Sequence, residues 1–259
     1  MKPPSRLARL VPDRLFVRTI ARVHPRVEPE IKHLFRALPA GGTFVDVGGW
    51  YGPWSLWMAK KADRVIVFEP NPSVADVLSG SLPSNATLYR SAVSREGGHA
   101  TLSVPAGGRG TEGRASLGEV ADSDHAHEVD TVCLDGLQLS DVRLIKIDVE
   151  GHEQSVLEGA EQLINEQRPV MVIEIEQRWG DPQHTIDWLS QRGYRAQTLV
   201  GSSWMDLKRF DLFAHQRDNV DRIPTSYLST ARAPLDQRYV NNVVFVPSEK
   251  PSWVPTPIS

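Results

Sequence analysis

From Thr43 onward the chain alternates short apolar runs with longer amphipathic stretches. TFVDV, RVIVFEP, RLIKIDV and PVMVIEIE are strand-like, whereas WSLWMAKKA, PSVADVLSGSL, HEQSVLEGAEQLINEQ and TIDWLSQRGY carry apolar residues at helical spacing. ATLYRSAV adds a third strand, the alternation in HATLSV a short hairpin strand, and RAQTLV and NNVVFVP two later strands. Parallel neighbours need a crossover connection, so this order predicts an α/β, doubly wound sheet with helices on both faces. Asn71 or Ser73 can cap the second helix, and Gly193 ends the last one.

The flanks read differently. Residues 1–42 are expected to form a peripheral helical extension. Arg14, Arg18, Arg22 and Arg26 share one helical face, Pro25 limits that helix, and a second helix runs from Glu28 to Leu38. The arginine stripe reads as a solvated face, with an anionic substrate or a homodimer contact as sharper alternatives. The main domain then covers 43–247. Within it, 106–118 is rich in Gly, Arg and Ser and reads as a mobile loop, and 201–240 as an irregular lid. His125 and His127 lie in polar, loop-like sequence. The proline-bearing tail 248–259 is expected to be loosely ordered.

The first strand runs into Asp46-Val47-Gly48-Gly49-Trp50-Tyr51-Gly52. Glycines there let a ligand approach the backbone, and Glu69, at the end of the next strand, is placed to accept ribose hydroxyls. A dinucleotide fingerprint needs a glycine where Trp50 stands, which argues against a diphosphate ligand and a dehydrogenase. S-adenosylmethionine has no phosphate and carries positive charge, and Asp46 before the turn suits it better.

FVDVGGWYGPWS, VFEPNP, LIKIDVEGHEQSVLEGA and PVMVIEIE, in this order, resemble the FkbM-type methyltransferases over roughly 43–176. The I-D-V-E-G-x-E segment followed by V-L-x-G-A is the most specific part. The resemblance implies a class I, Rossmann-like methyltransferase with a mostly parallel seven-stranded sheet. It also implies acceptor hydroxyls on sugars, polyketides and other natural products, mannosides of methylmannose polysaccharides among them. Carried over by position, Asp46, Gly48 and Gly52 would line the methionine end of the cofactor and Glu69 would bind its ribose, with Gly49 and Ser91 as further cofactor-binding candidates. Asp148 would stand beside the transferred methyl group. Gly49 and Trp50 depart from the small residue and Asn common in the family.

Methyl transfer to a sugar hydroxyl needs a base, or a metal that lowers the hydroxyl's pKa. Two strand ends deliver polar groups: Asp148 to His152, and Glu174 to Glu176. Asp148, His152 and Glu174 are therefore the candidate catalytic cluster. His152 could be the base, oriented by a carboxylate, or all three could hold Mg²⁺. Glu150 reads as a helix cap. Indoles stack on sugar rings, so Trp50, Trp179 and Trp204, with Tyr51, are candidates for the acceptor groove.

Composition narrows the partners. A net charge of -3 argues against a nucleic-acid binder. No apolar run approaches the ~20 residues of a membrane span, and no secretory signal is evident. Cys133, the only cysteine, allows no intrachain disulfide and fits a cytoplasmic protein. A lipid, polyketide or peptide acceptor is the alternative to a sugar. A catalytically inactive, cofactor-binding interaction module is the alternative to an enzyme.

Overall fold

The computed structural model describes residues 11–105, 115–118, 123–222 and 227–256. The strands are β1 (Thr43–Val47), β2 (Arg64–Phe68), β3 (Ala86–Tyr89), β4 (Ala92–Val93), β5 (Gly98–Pro105), β6 (Ser116–Leu117), β7 (Ser123–Val132), β8 (Val142–Ile147), β9 (Val170–Glu174), β10 (Tyr194–Val200), β11 (Ser203–Asp206) and β12 (Asn242–Pro247). The helices are α1 (Asp13–Val23), α2 (Glu30–Ala37), α3 (Pro53–Met58), α4 (Pro72–Ser79), α5 (Glu153–Glu158), α6 (Glu161–Gln167), α7 (Gln183–Gln191), α8 (Leu212–Asp218) and α9 (Tyr227–Arg232).

The main sheet runs β11-β10-β12-β9-β8-β1-β2-β3. The pairs β9/β8, β8/β1, β1/β2 and β2/β3 are parallel, while β12 is antiparallel to β9 and β10. The α/β class and the mostly parallel core match the expectation, but there are eight strands. The eighth, β11, is an edge hairpin partner of β10 and comes from the stretch read as an irregular lid.

Alternation along the strands sorts the core into two layers. Val45, Val47, Ile145 and Ile147 face α5, α6 and α7, packing with Val156, Leu163 and Leu189. Phe44, Val65, Val67, Leu144 and Val172 face the other way, toward Ile31, Leu34, Met58 and Leu78 of α2, α3 and α4.

Several local readings are corrected. The segment 152–167 is two helices rather than one. A Cβ at Gly159 would lie 2.1 Å from the Ser94 carbonyl oxygen, and the Asp135 carboxylate caps the second helix at Gln162 and Leu163. His125 and His127 lie on β7, which pairs with β5 in a second, four-stranded sheet, β4-β7-β5-β6. Residues 201–240 carry β11, α8 and α9. Gln216, 3% exposed, donates to the carbonyls of Ile175 and Val240 and ties α8 to the sheet. The tail is docked, with Val254 buried and the Pro255 carbonyl accepting from Gln197. Residues 106–114 of the loop read as mobile lie outside the described residues. Among those described, no helix is long and apolar enough to cross a membrane.

Candidate functional site

The site continues the α2/α3 face of the sheet past its apolar rows. Counting by two along each strand, Val65 and Val67 lead to Glu69, Phe44 to Asp46, Leu144 through Lys146 to Asp148, and Val172 to Glu174. On antiparallel β12 the row from Val244 ends at Asn242. Strand register places Asp46 beside Lys146 and Asn242 beside Glu174. Apolar side chains thus give way to charged ones at the carboxyl ends of the parallel strands, where doubly wound sheets bind ligands.

Asp46, Glu69, Lys146, Asp148 and Glu174 line a cavity of about 250 Å³ with Gly48, Gly49, Trp50 and Ser91. Gly48 has φ +84°, and a Cβ there would lie 2.0 Å from the Asp148 carbonyl oxygen. A Cβ at Gly49 would strike Val67 at 2.5 Å. Both positions therefore exclude side chains because the turn lies directly on β2 and β8. Gly52, at φ +72°, caps α3 and does not line the cavity.

Glu69 accepts from the backbone N–H of Trp50 at 2.7 Å and of Asn71 at 2.8 Å. It thereby fixes Trp50, a non-glycine residue at φ +44°. Burial pushes its carboxyl up to about 7, with Asp46 and Asp148 adding to the shift. Asp46, 1% exposed, accepts from the Ser55 hydroxyl at 2.5 Å, and burial raises it to about 7 as well. The hydroxyl of Ser91 is buried and has no partner among the described residues. Asp46, Gly48, Gly49, Glu69 and Ser91 thus share one cavity, to which these residues bring two carboxyl groups and an unsatisfied hydroxyl.

Lys146 escaped the sequence reading, although its alternation with Leu144 and Asp148 places it on this face. It is 1% exposed, and its Nζ lies 3.4 Å from Asp148 Oδ2 and 3.3 Å from Asn242 Oδ1. Burial opposes its charge, but Asp148, Glu28, Glu174 and Asp46 more than offset this and hold its pKa above the ordinary value. Glu174 is hydrogen-bonded to Asp148 and to the Asn241 amide. Burial and the neighbouring Asp148 push its carboxyl well above the usual range.

The expected cluster separates. Asp148 and Glu174 come together, but His152 does not line this cavity. Its Nε2 lies 2.9 Å from Ser94 Oγ, and burial lowers its pKa. Among the described residues no group of three or more His, Cys, Asp or Glu is arranged to hold a metal. Lys146 stands against Asp148 where a cation would have to sit, so the Mg²⁺ reading has no fitting ligand set.

Of the aromatic candidates, only Trp50 lines the cavity. Tyr51 is 2% exposed and packs on Phe16, Val17 and Val74, and Trp204 is 4% exposed in the core. Trp179 is exposed, pressed against Gly151 with Arg178 over its ring. Glu150 lines the cavity and pairs with Arg178 at 3.2 Å rather than capping a helix.

The N-terminal extension supplies a wall that the sequence reading did not assign. His24, Val27 and Glu28 line the cavity. Glu28 accepts from Trp54 Nε1 at 2.6 Å and lies 3.1 Å from His24. Burial would raise its pKa, but His24, Lys146 and Trp54 bring it down to about 2.

The model of the methyltransferase FkbM domain matches residues 46–196, more than half of the chain. An FkbM methyltransferase from Methylobacillus flagellatus superposes with a TM-score of 0.50 at 15% identity, covering 87% of this chain. This chain spans only 60% of that one. An rRNA methylase from Streptococcus thermophilus gives a TM-score of 0.43 at 13% identity, covering 83% of this chain and 90% of that one. A Streptococcus mutans protein solved in complex with SAH gives 0.46 at 8% identity, covering 85% and 96%. No curated protein sequence matches.

Proposed function

Because the chain belongs to the FkbM methyltransferase family, we propose that it transfers a methyl group from S-adenosylmethionine to a hydroxyl of a sugar or oligosaccharide. One observation carries this reading: the cavity at the glycine turn is walled by Asp46, Glu69, Asp148 and Glu174 around a single buried lysine. Such a surface suits a cationic ligand and opposes a diphosphate. Bound S-adenosylmethionine would supply an electrophilic methyl group on a positively charged sulfur.

The residues then divide the work. Gly48 and Gly49 leave room for the methionine end, and Glu69, already holding the turn, has lone pairs left for ribose hydroxyls. The unsatisfied Ser91 hydroxyl supports a polar contact to the nucleoside. Asp148 accepts the acceptor hydroxyl's proton, while Glu174, hydrogen-bonded beside it, orients its carboxylate. Lys146 keeps its charge and anchors both carboxyl groups. The acceptor class includes mannosides of the methylmannose type.

Titration calorimetry with S-adenosylhomocysteine and with NAD tests the donor: binding of NAD alone removes the proposal. Transfer of labelled methyl groups to a panel of glycosides, lipids, polyketides and peptides tests the acceptor. Asp148→Asn is expected to lower turnover by about 10²–10⁴-fold while S-adenosylhomocysteine still binds. Full turnover in that variant would remove Asp148 as the base.

A further inference from the structure

A second cavity of about 440 Å³ adjoins the first, and Val27, Glu28 and Glu174 line both. Its floor is the end of β9, one wall is the start of α2, and the opposite wall is the approach to β12.

Most of its polar groups are already engaged within the protein. Arg178 pairs with Glu150 and Glu176. The Arg238 guanidinium donates to the carbonyls of Val27 and Ala233. The Asn241 amide donates to Glu174 and Glu176. Glu30 is the exception. It stands in the first turn of α2, is 7% exposed and lines this cavity, and its Oε2 has no partner among the described residues. A buried acceptor without a donor is costly, so a site that retains one is matched to a donor from outside. Burial and the neighbouring Glu28 push its carboxyl up to about 8, so at neutral pH it is largely protonated and meets a ligand hydroxyl as an uncharged hydrogen-bonding group.

We infer that this second cavity seats the acceptor, and that Glu30 selects an uncharged, hydroxyl-rich ring by accepting a hydroxyl next to the one methylated. The inference rests on the sugar reading above. Among the described residues lining the cavity, Arg178 is paired with carboxylates and the Arg238 guanidinium is held by two carbonyls, so an acidic ring meets carboxyl groups and no guanidinium without protein partners at the floor. Arg222 stands only at the exposed rim.

The test uses the full chain with labelled S-adenosylmethionine and paired acceptors: methyl α-mannoside, glucoside and galactoside, with oligosaccharides of each, against the corresponding uronic acids. Neutral sugars are expected to be methylated at least about tenfold more efficiently than their acids. Glu30→Ala is expected to raise the acceptor KM about tenfold with kcat and S-adenosylhomocysteine affinity little changed, and Glu30→Gln to restore part of the loss. The melting temperature of Glu30→Ala should stay level or rise, because a buried oxygen without a donor and its repulsion by Glu28 are removed; a fall with unchanged KM assigns Glu30 a structural role and overturns the inference. Equal use of acids and neutral sugars, or wild-type kinetics in Glu30→Ala, overturns it while leaving the sugar reading intact. If no sugar of either kind binds or reacts, both readings fall.

Discussion

A fully buried lysine ringed by carboxyl groups is the feature on which the site's electrostatics turn. Lys146 faces Asp148, Glu28, Glu174 and Asp46, and removing its charge leaves like charges facing each other in a dry setting. Lys146→Met is expected to lower stability by about 3–5 kcal/mol, the usual cost of breaking a buried pair, read by urea unfolding. An unchanged midpoint would mean that the carboxyl groups simply take up protons. Asp46 and Glu69 lead to a second prediction. Both have pKa values raised to about 7, so below that pH they are largely neutral. A cationic ligand favours their ionised forms, so binding expels protons and strengthens as pH rises from 5 through 7, levelling off above. Calorimetry of S-adenosylmethionine in buffers of different ionisation enthalpy measures this, and proton uptake on binding contradicts it. Of these residues, Asp46 and Glu69 were legible from their positions at strand ends. Lys146 was not, because a lysine inside an apolar strand reads as exposed until the period-two count is carried across it.

At the scale of elements, the strands of the parallel core were readable because each is a buried apolar run with glycine or proline at its end. What misled was continuity. The apolar positions Val156, Leu157, Ala160, Leu163 and Ile164 keep helical spacing across 152–167, yet the helix breaks at Gly159–Ala160. The cause is non-local: the Ser94 carbonyl presses on Gly159 from a chain segment some sixty residues away, a contact that periodicity cannot report. Gly159→Ala, a helix-favouring change by propensity, is therefore expected to destabilise the protein by roughly 1–3 kcal/mol through overpacking. A rise in the melting temperature would show that the backbone yields there at no cost. The second sheet was missed for a related reason. β7 carries His125, Glu128 and Asp130 toward solvent, and only Val129 joins Leu102 and Val104 in a small core. A strand polar on one face with so few apolar residues on the other looks like a loop until its partner is known.

For the whole molecule, the family match ends short of both walls of the acceptor cavity. Residues 24–30 and 230–242 lie outside 46–196, yet they supply Glu28, Glu30, Arg238 and Asn241. The glycine-turn cavity is thus marked by motifs, whereas the second cavity depends on the flanks, where no motif marks it. The N-terminal helices are also not peripheral. Val17 and Ile20 of α1 pack on Tyr51 and Val74, bracing the glycine turn from behind. Deleting residues 1–23 is expected to weaken S-adenosylhomocysteine binding by about tenfold or more (1.4 kcal/mol), measured by calorimetry on the folded product. Wild-type affinity in that variant would show that the turn holds itself.

Strand order carries a consequence for biosynthesis. β12 is made after both β9 and β10, but it inserts between them and brings Asn241 and Asn242 to Glu174 and Lys146. A chain still attached to the ribosome, with this hairpinless finger of sequence inside the exit tunnel, holds a gap in the middle of its sheet and a half-built pocket. The sheet and the pocket are therefore completed together, when β12 leaves the tunnel and closes the gap.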